Sequence, residues 1–89
     1  MRIDKYLLSK GVKPELKGFD YMVDAINLCI KDKSYLRGLT TRLYPEIAKI
    51  NNDVVHKVER ALRHVIDGQK PHVTIGRFIA ISLIELIEG

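Results

Sequence analysis

Apolar residues recur at spacings of three and four along most of the chain, and strand-like alternation is scarce. That pattern predicts an all-α domain, a small bundle of about six short helices. The first covers about Ile3 to Lys10 and stops at Gly11, which can take the left-handed backbone that ends a helix. Pro14 and Gly18 punctuate the loop VKPELKG. A second helix, about Phe19 to Lys31, turns Met22, Ala25, Ile26, Cys29 and Ile30 inward. Pro45 divides SYLRGLTTRLYPEIAKINN, because proline suits only a helix's first turn. One helix is therefore predicted to end near Leu43, and another to run from about Pro45 to Asn51. Asn52 and Asp53 are placed to cap the next, about Val54 to Asp67, which Gly68 closes. After the loop DGQKPHV, Thr74 can cap a last helix that reaches Ile87.

The helix beginning near Val54 has two chemically distinct sides. With Lys57 at zero and about 100° per residue, Val54, Val58, Ala61, Leu62 and Val65 fall between about 40° and 140°. Arg63, His56, Arg60, His64 and Lys57 fall between about 240° and 360°. A solvated surface explains such a face in many amphipathic helices. Here, however, YPEIAKINN precedes it as a short amphipathic helix and a polar turn. Helix, tight turn and basic-faced helix is the layout that carries a recognition helix into a DNA major groove. Arginine and lysine donate to guanine O6 and N7, and glutamate accepts from the cytosine amino group. Glu59 is then either a specificity residue or an edge residue paired with Arg63 at i+4.

Composition narrows the classes. Eighty-nine residues leave room for one domain. With 46% hydrophobic and 29% charged residues the chain is globular, not disordered. A net charge of +4 is a mild bias towards anionic partners. A single cysteine, Cys29, within AINLCI, excludes an internal disulfide and suggests a buried thiol. The N-terminus MRIDKYLLSKG lacks a signal-peptide pattern, and FIAISLIELI is too short to span a bilayer. The expected location is cytoplasmic, with no membrane partner.

LYPEIAKINNDVVHKVERALRHVI resembles the helix-turn-helix of the effector domain of stage-zero sporulation protein A, the sporulation response regulator. That family carries LYP-[DE]-IAK on its scaffold helix and VERAIRH on its recognition helix; this chain has LYPEIAK at 43–49 and VERALRH at 58–64. KGFDYMVDAI at 17–26 is similar to the family's KGYxYLREAI. The resemblance spans nearly the whole chain. It implies a winged-helix-like, sequence-specific regulator of transcription that binds double-stranded DNA boxes with this helix in the major groove. Carried over by position, Lys57, Glu59 and Arg60 would face base edges, and Arg63 and His64 the backbone or the groove's rim, with His56 on the same face. Lys57 stands where the family has arginine, which loosens guanine recognition. Val54 and Val55 replace a threonine and a proline, shifting the cap to Asn52 or Asp53.

Two departures shape the expected function. The receiver domain that precedes this module in the family is expected to be absent, so control would fall to abundance, a partner or self-association. After the recognition helix, VIDGQKPHVTIGRFIAISLIEL omits about one helix and its loop, a region that contributes to contacts with the sigma subunit of RNA polymerase. The chain is therefore expected to repress or compete. In the closing helix, Ile75, Phe78, Ile79, Ile81, Leu83, Ile84, Leu86 and Ile87 wrap the whole circumference, which suggests a homodimer formed through 75–87. The alternative is a protein-interaction module that reuses the scaffold to bind RNA polymerase or another regulator.

Enzyme chemistry finds no support. His56, His64 and His72 lack a completing cysteine or carboxylate, so no metal is expected. Ser9, Ser34 and Ser82 have no identifiable base, and no glycine-rich phosphate loop is present, so neither catalysis nor a cofactor is expected.

Overall fold

The computed structural model describes residues 2–88. Five α-helices form the bundle: α1 (Ile3–Ser9), α2 (Lys17–Lys31), α3 (Tyr44–Ile50), α4 (Val55–Asp67) and α5 (Ile75–Glu88). The described residues contain no strand, so the all-α class holds and the helix-turn-helix carries no β-wing. α2 lies at the centre, packed against α1, α3, α4 and α5. Its Met22, Ala25, Ile26 and Cys29 are fully buried, as their spacing predicts, whereas Ile30 is only half-buried. Leu7, Leu43, Ile47, Val58, Leu62 and Ile79 close around that stripe. Each such side chain contributes about 1.5–3 kcal/mol by leaving water.

The expected sixth helix is not an α-helix. Lys33–Arg37 form a 3-10 turn and Leu39–Leu43 a π turn, separated at Gly38. The π register appears as Leu43 N–H donating to the Gly38 carbonyl at 2.9 Å, five residues back. This widened turn runs directly into α3, where Pro45 occupies the first turn as predicted. Proline has no N–H to give to the preceding turn, and the looser turn removes the steric conflict that would break a regular helix.

Two helices end in the same way. Gly11 has φ +83, Val12 N–H donates to the Leu7 carbonyl at 3.1 Å and Gly11 N–H to Leu8 at 3.0 Å. This paired closure, with Val12 and Leu7 both buried, satisfies the last carbonyls of α1. At the end of α3, Asn52 has φ +52, and Asp53 N–H reaches back to the Ala48 carbonyl at 2.9 Å. Asn52 thus terminates α3, and the expectation that it caps α4 is corrected. Asparagine is among the few non-glycine residues that take this backbone readily.

Two further expectations are corrected, and a third, the closure of α4 at Gly68, holds with a different backbone from the left-handed one. α2 begins at Lys17, so Gly18 is helical and buried instead of marking the loop. α4 begins at Val55, and Val54, expected inside, is 49% exposed at its entrance. Gly68 has φ −84; α4 ends on three-residue bonds, Gly68 N–H to Val65 at 3.3 Å and Gln69 N–H to Ile66 at 2.9 Å. Such bonds tighten a last turn without left-handed backbone.

Thr74 acts at α5 as predicted, its Oγ1 accepting from Arg77 N–H at 3.2 Å. Phe78, Ile79 and Leu83 are buried, Ile75 and Leu86 half-buried, and Ile81, Ile84 and Ile87 exposed. The neighbouring helices therefore cover only part of the apolar circumference. Glu85 fixes the helix to α1 by accepting from the Tyr6 hydroxyl and pairing with Lys10 at 3.0 Å.

Candidate nucleic-acid interface

α3, the turn 51–54 and α4 form a helix-turn-helix held on α2 by its turn. Asn51 Nδ2 donates to the Asp24 carboxylate and to the Ile47 carbonyl, both at 2.8 Å. Two residues on, the buried Tyr21 donates its hydroxyl to Asp53 at 2.5 Å, and the other carboxylate oxygen of Asp53 accepts from Val54 N–H at 2.8 Å. Asp53 thus steadies the entrance of α4, while no side chain among the described residues caps the helix at its N-cap, Val54. Valine has no acceptor to offer there. The Tyr21 bond, followed by the Val54 amide, holds the Asp53 carboxyl below its ordinary 3.8. Reciprocally, the Asp53 carboxylate and burial push the Tyr21 phenol up to about 12.

The inner side of α4 is built as the periodicity predicts: Val58, Leu62 and Val65 are buried, with Ile66 beside them. Val58 and Leu62 are wholly covered. Ala61 is half-buried because α2 passes over it at Gly18. A Cβ on Gly18 would lie 2.3 Å from the Ala61 carbonyl oxygen and 2.5 Å from Val65 Cγ2, so only glycine permits this approach. The motif KGFDYMVDAI contained that glycine, yet local periodicity marks it as a loop because the requirement comes from another helix.

On the opposite side, His56, Lys57, Arg60, Arg63 and His64 are all exposed, and Glu59 is half-buried. The six residues singled out from sequence therefore share one face. Glu59 pairs with Arg63, Nη2 to Oε2 at 2.7 Å across one helical turn. The half-buried setting of Glu59 lies near Tyr44, whose phenol is raised first by burial and then by the Glu59 charge. Arg60 divides the face. On one flank, Arg60, Lys57 and His64 border a groove whose far wall is Leu16, Lys17 and Gly18. On the other, Arg60, His56, Glu59 and Arg63 line a shallow depression of about 320 Å³. Lys17 is absent from the residues expected from sequence, because it lies far along the chain from α4 and reaches the face only through the Gly18 contact.

No group of three or more potential metal ligands occurs among the described residues. No helix there is long and apolar enough to cross a membrane. Cys29 is buried, and burial pushes its thiol up to about 11.

The family model described as sporulation initiation factor Spo0A C terminal matches residues 3–76, which include α1 to α4 and the first two residues of α5. That match takes in the LYPEIAK and VERALRH segments on α3 and α4. The chain therefore belongs to the Spo0A C-terminal family, a family of DNA-binding effector domains of transcription regulators and not of enzymes.

Proposed function

We propose that this chain is a sequence-specific regulator of transcription that places α4 in the major groove of double-stranded DNA. The observation that carries the reading is the exposure of Lys57, Arg60 and Arg63 along one face of a helix whose other face is buried. Guanidinium and ammonium groups on such a face offer donors to guanine edges and to phosphates. His56, Glu59 and His64 complete the surface. Selection of bound duplexes from a random pool, followed by sequencing, tests it: a single enriched motif is expected, and uniform recovery of all sequences would refute sequence-specific binding.

We further propose repression or competition as the mode of regulation. Residues 68–74 join α4 directly to α5, where the family resemblance implies an intervening helix and loop that contribute to sigma contacts. Robust activation of a reporter from a bound promoter would overturn this.

Self-association through α5 belongs to the same reading. Ile84 and Ile87 are 57% and 58% exposed and, with Ile81, form an apolar strip at helical spacing. A second copy presenting the same strip would cover it across a two-fold axis. The second reading, an interaction module for RNA polymerase or another regulator, is favoured by the same strip with its adjoining groove against Leu36. Substitutions on α4 that spare DNA binding, together with a monomeric mass, would favour that reading. The location proposed is the bacterial cytoplasm, at the nucleoid.

A further inference from the structure

The groove beside α4 carries positive charge from two elements that are distant in sequence. Lys17, in the first turn of α2, stands across it from Lys57, Arg60 and His64. The volume enclosed is about 340 Å³. Among the described residues Asp53 is the one carboxylate that lines it, and its side chain is only 12% exposed. Tyr21 and the Val54 amide already bond that carboxylate, and Lys17 Nζ lies 3.9 Å away, a loose pair that leaves the ammonium 75% exposed. Lys17, Lys57 and Arg60 against Asp53 leave the groove cationic without any contribution from His64.

Dimensions decide what such a groove would meet. An α-helix with its side chains is about 10–12 Å across, and the major groove of B-DNA is about 12 Å wide. A helix lying there fills the groove, so whatever stands at its side meets the sugar-phosphate wall instead of base edges. The shoulder formed by Lys17 and Gly18 stands at the side of α4, in contact with Ala61.

Resting on the proposed placement of α4 in the major groove, we infer that Lys17 and Lys57 together grip the phosphates of one DNA strand, leaving Arg60 as the base-reading residue of this flank. Lys57 is then a backbone contact, contrary to the role that the family resemblance implies for it. Lys17 becomes a DNA contact contributed from outside the helix-turn-helix.

The test is equilibrium binding of the full chain to its selected duplex and to a scrambled duplex over a series of salt concentrations. Lys17→Ala and Lys57→Ala are each expected to weaken both duplexes by the same factor and to reduce the log–log salt slope by about 0.9. Lys17→Arg is expected to retain the slope, and thermal melts show whether Lys17→Ala remains folded. Arg60→Ala is expected to narrow the preference between the two duplexes. An unchanged affinity and slope for folded Lys17→Ala, or a change of preference in Lys57→Ala without a change of slope, overturns the inference. In those cases a wild-type chain that still prefers its duplex leaves the major-groove reading standing. A wild-type chain that binds neither duplex removes both.

Discussion

Tyr21, buried in α2, hydrogen-bonds through its hydroxyl to Asp53 in the turn before α4, joining residues separated by most of two helices. Asn51, in the same turn, makes a parallel link to Asp24 of α2. The attitude of α4 is thus fixed by α2 through the turn as well as by apolar packing. A face intended for a rigid duplex requires such fixation, since a poorly held helix pays an ordering cost on binding.

Tyr21→Phe is expected to lower stability and weaken DNA binding without altering the buried packing. Its effect depends on pH at both ends. The Asp53 carboxyl is depressed in the folded state, so its contribution is present above the ordinary 3.8 and is lost as pH falls through the lower folded value. The Tyr21 phenol is raised, so its contribution is full below 10 and is lost as pH rises through about 12. Denaturant melts of both proteins should therefore differ most in the neutral range and converge in strong acid and strong alkali. A stability gap independent of pH would contradict the bond's role.

Gly18→Ala sets two effects against each other. Alanine favours a helix over glycine by about 1 kcal/mol. The added methyl, however, meets the Ala61 carbonyl oxygen at 2.3 Å, and backbone cannot swing aside as a flexible side chain can. Overpacking of this kind costs about 1–3 kcal/mol, so net destabilisation is expected by chemical denaturation, together with weaker DNA binding as α2 and α4 separate. Increased stability would show that the approach is looser than described.

On α5, Ile84→Glu replaces a side chain that is 57% exposed. The folded monomer should change by less than about 0.5 kcal/mol. If two copies meet through this strip, sedimentation at tens of micromolar should show a dimer for the parent chain and a monomer for the variant. A parent chain that sediments as a monomer contradicts the dimer.

Cys29 offers a probe of opening. Fully buried, with its thiol raised to about 11, it should resist a thiol reagent at neutral pH until the bundle opens. Rapid labelling of the native chain would place α2 nearer the surface.

The helical period located α1, α2, α4 and α5, and it placed Val58, Leu62 and Val65 inside and Arg60 outside, because a single amphipathic helix reports its own two faces. It failed where another part of the chain decides the outcome. Gly18 looks like a loop residue, and only the carbonyl of Ala61 explains it. Asn52 has the chemistry of an N-cap, but the backbone bond from Asp53 to Ala48 uses it to end α3. The π turn before Pro45 was hidden because apolar spacing does not distinguish four-residue from five-residue bonds over one turn. Lys17 is hidden in the sequence pattern for the same reason as Gly18: its place beside α4 is a tertiary property.

Arg60 is the residue shared by both flanks of the exposed face of α4. Its replacement by alanine should cost about 1–3 kcal/mol on the selected duplex and relax preference at one base pair. The most direct measurement is the equilibrium affinity of wild type and Arg60→Ala for that duplex and its single-base variants, across a range of salt. Steep weakening with salt for both proteins, with loss of discrimination at one position only in the variant, is the predicted result. Affinity indifferent to salt, or an Arg60→Ala profile identical to wild type, would contradict α4 as the element that reads DNA.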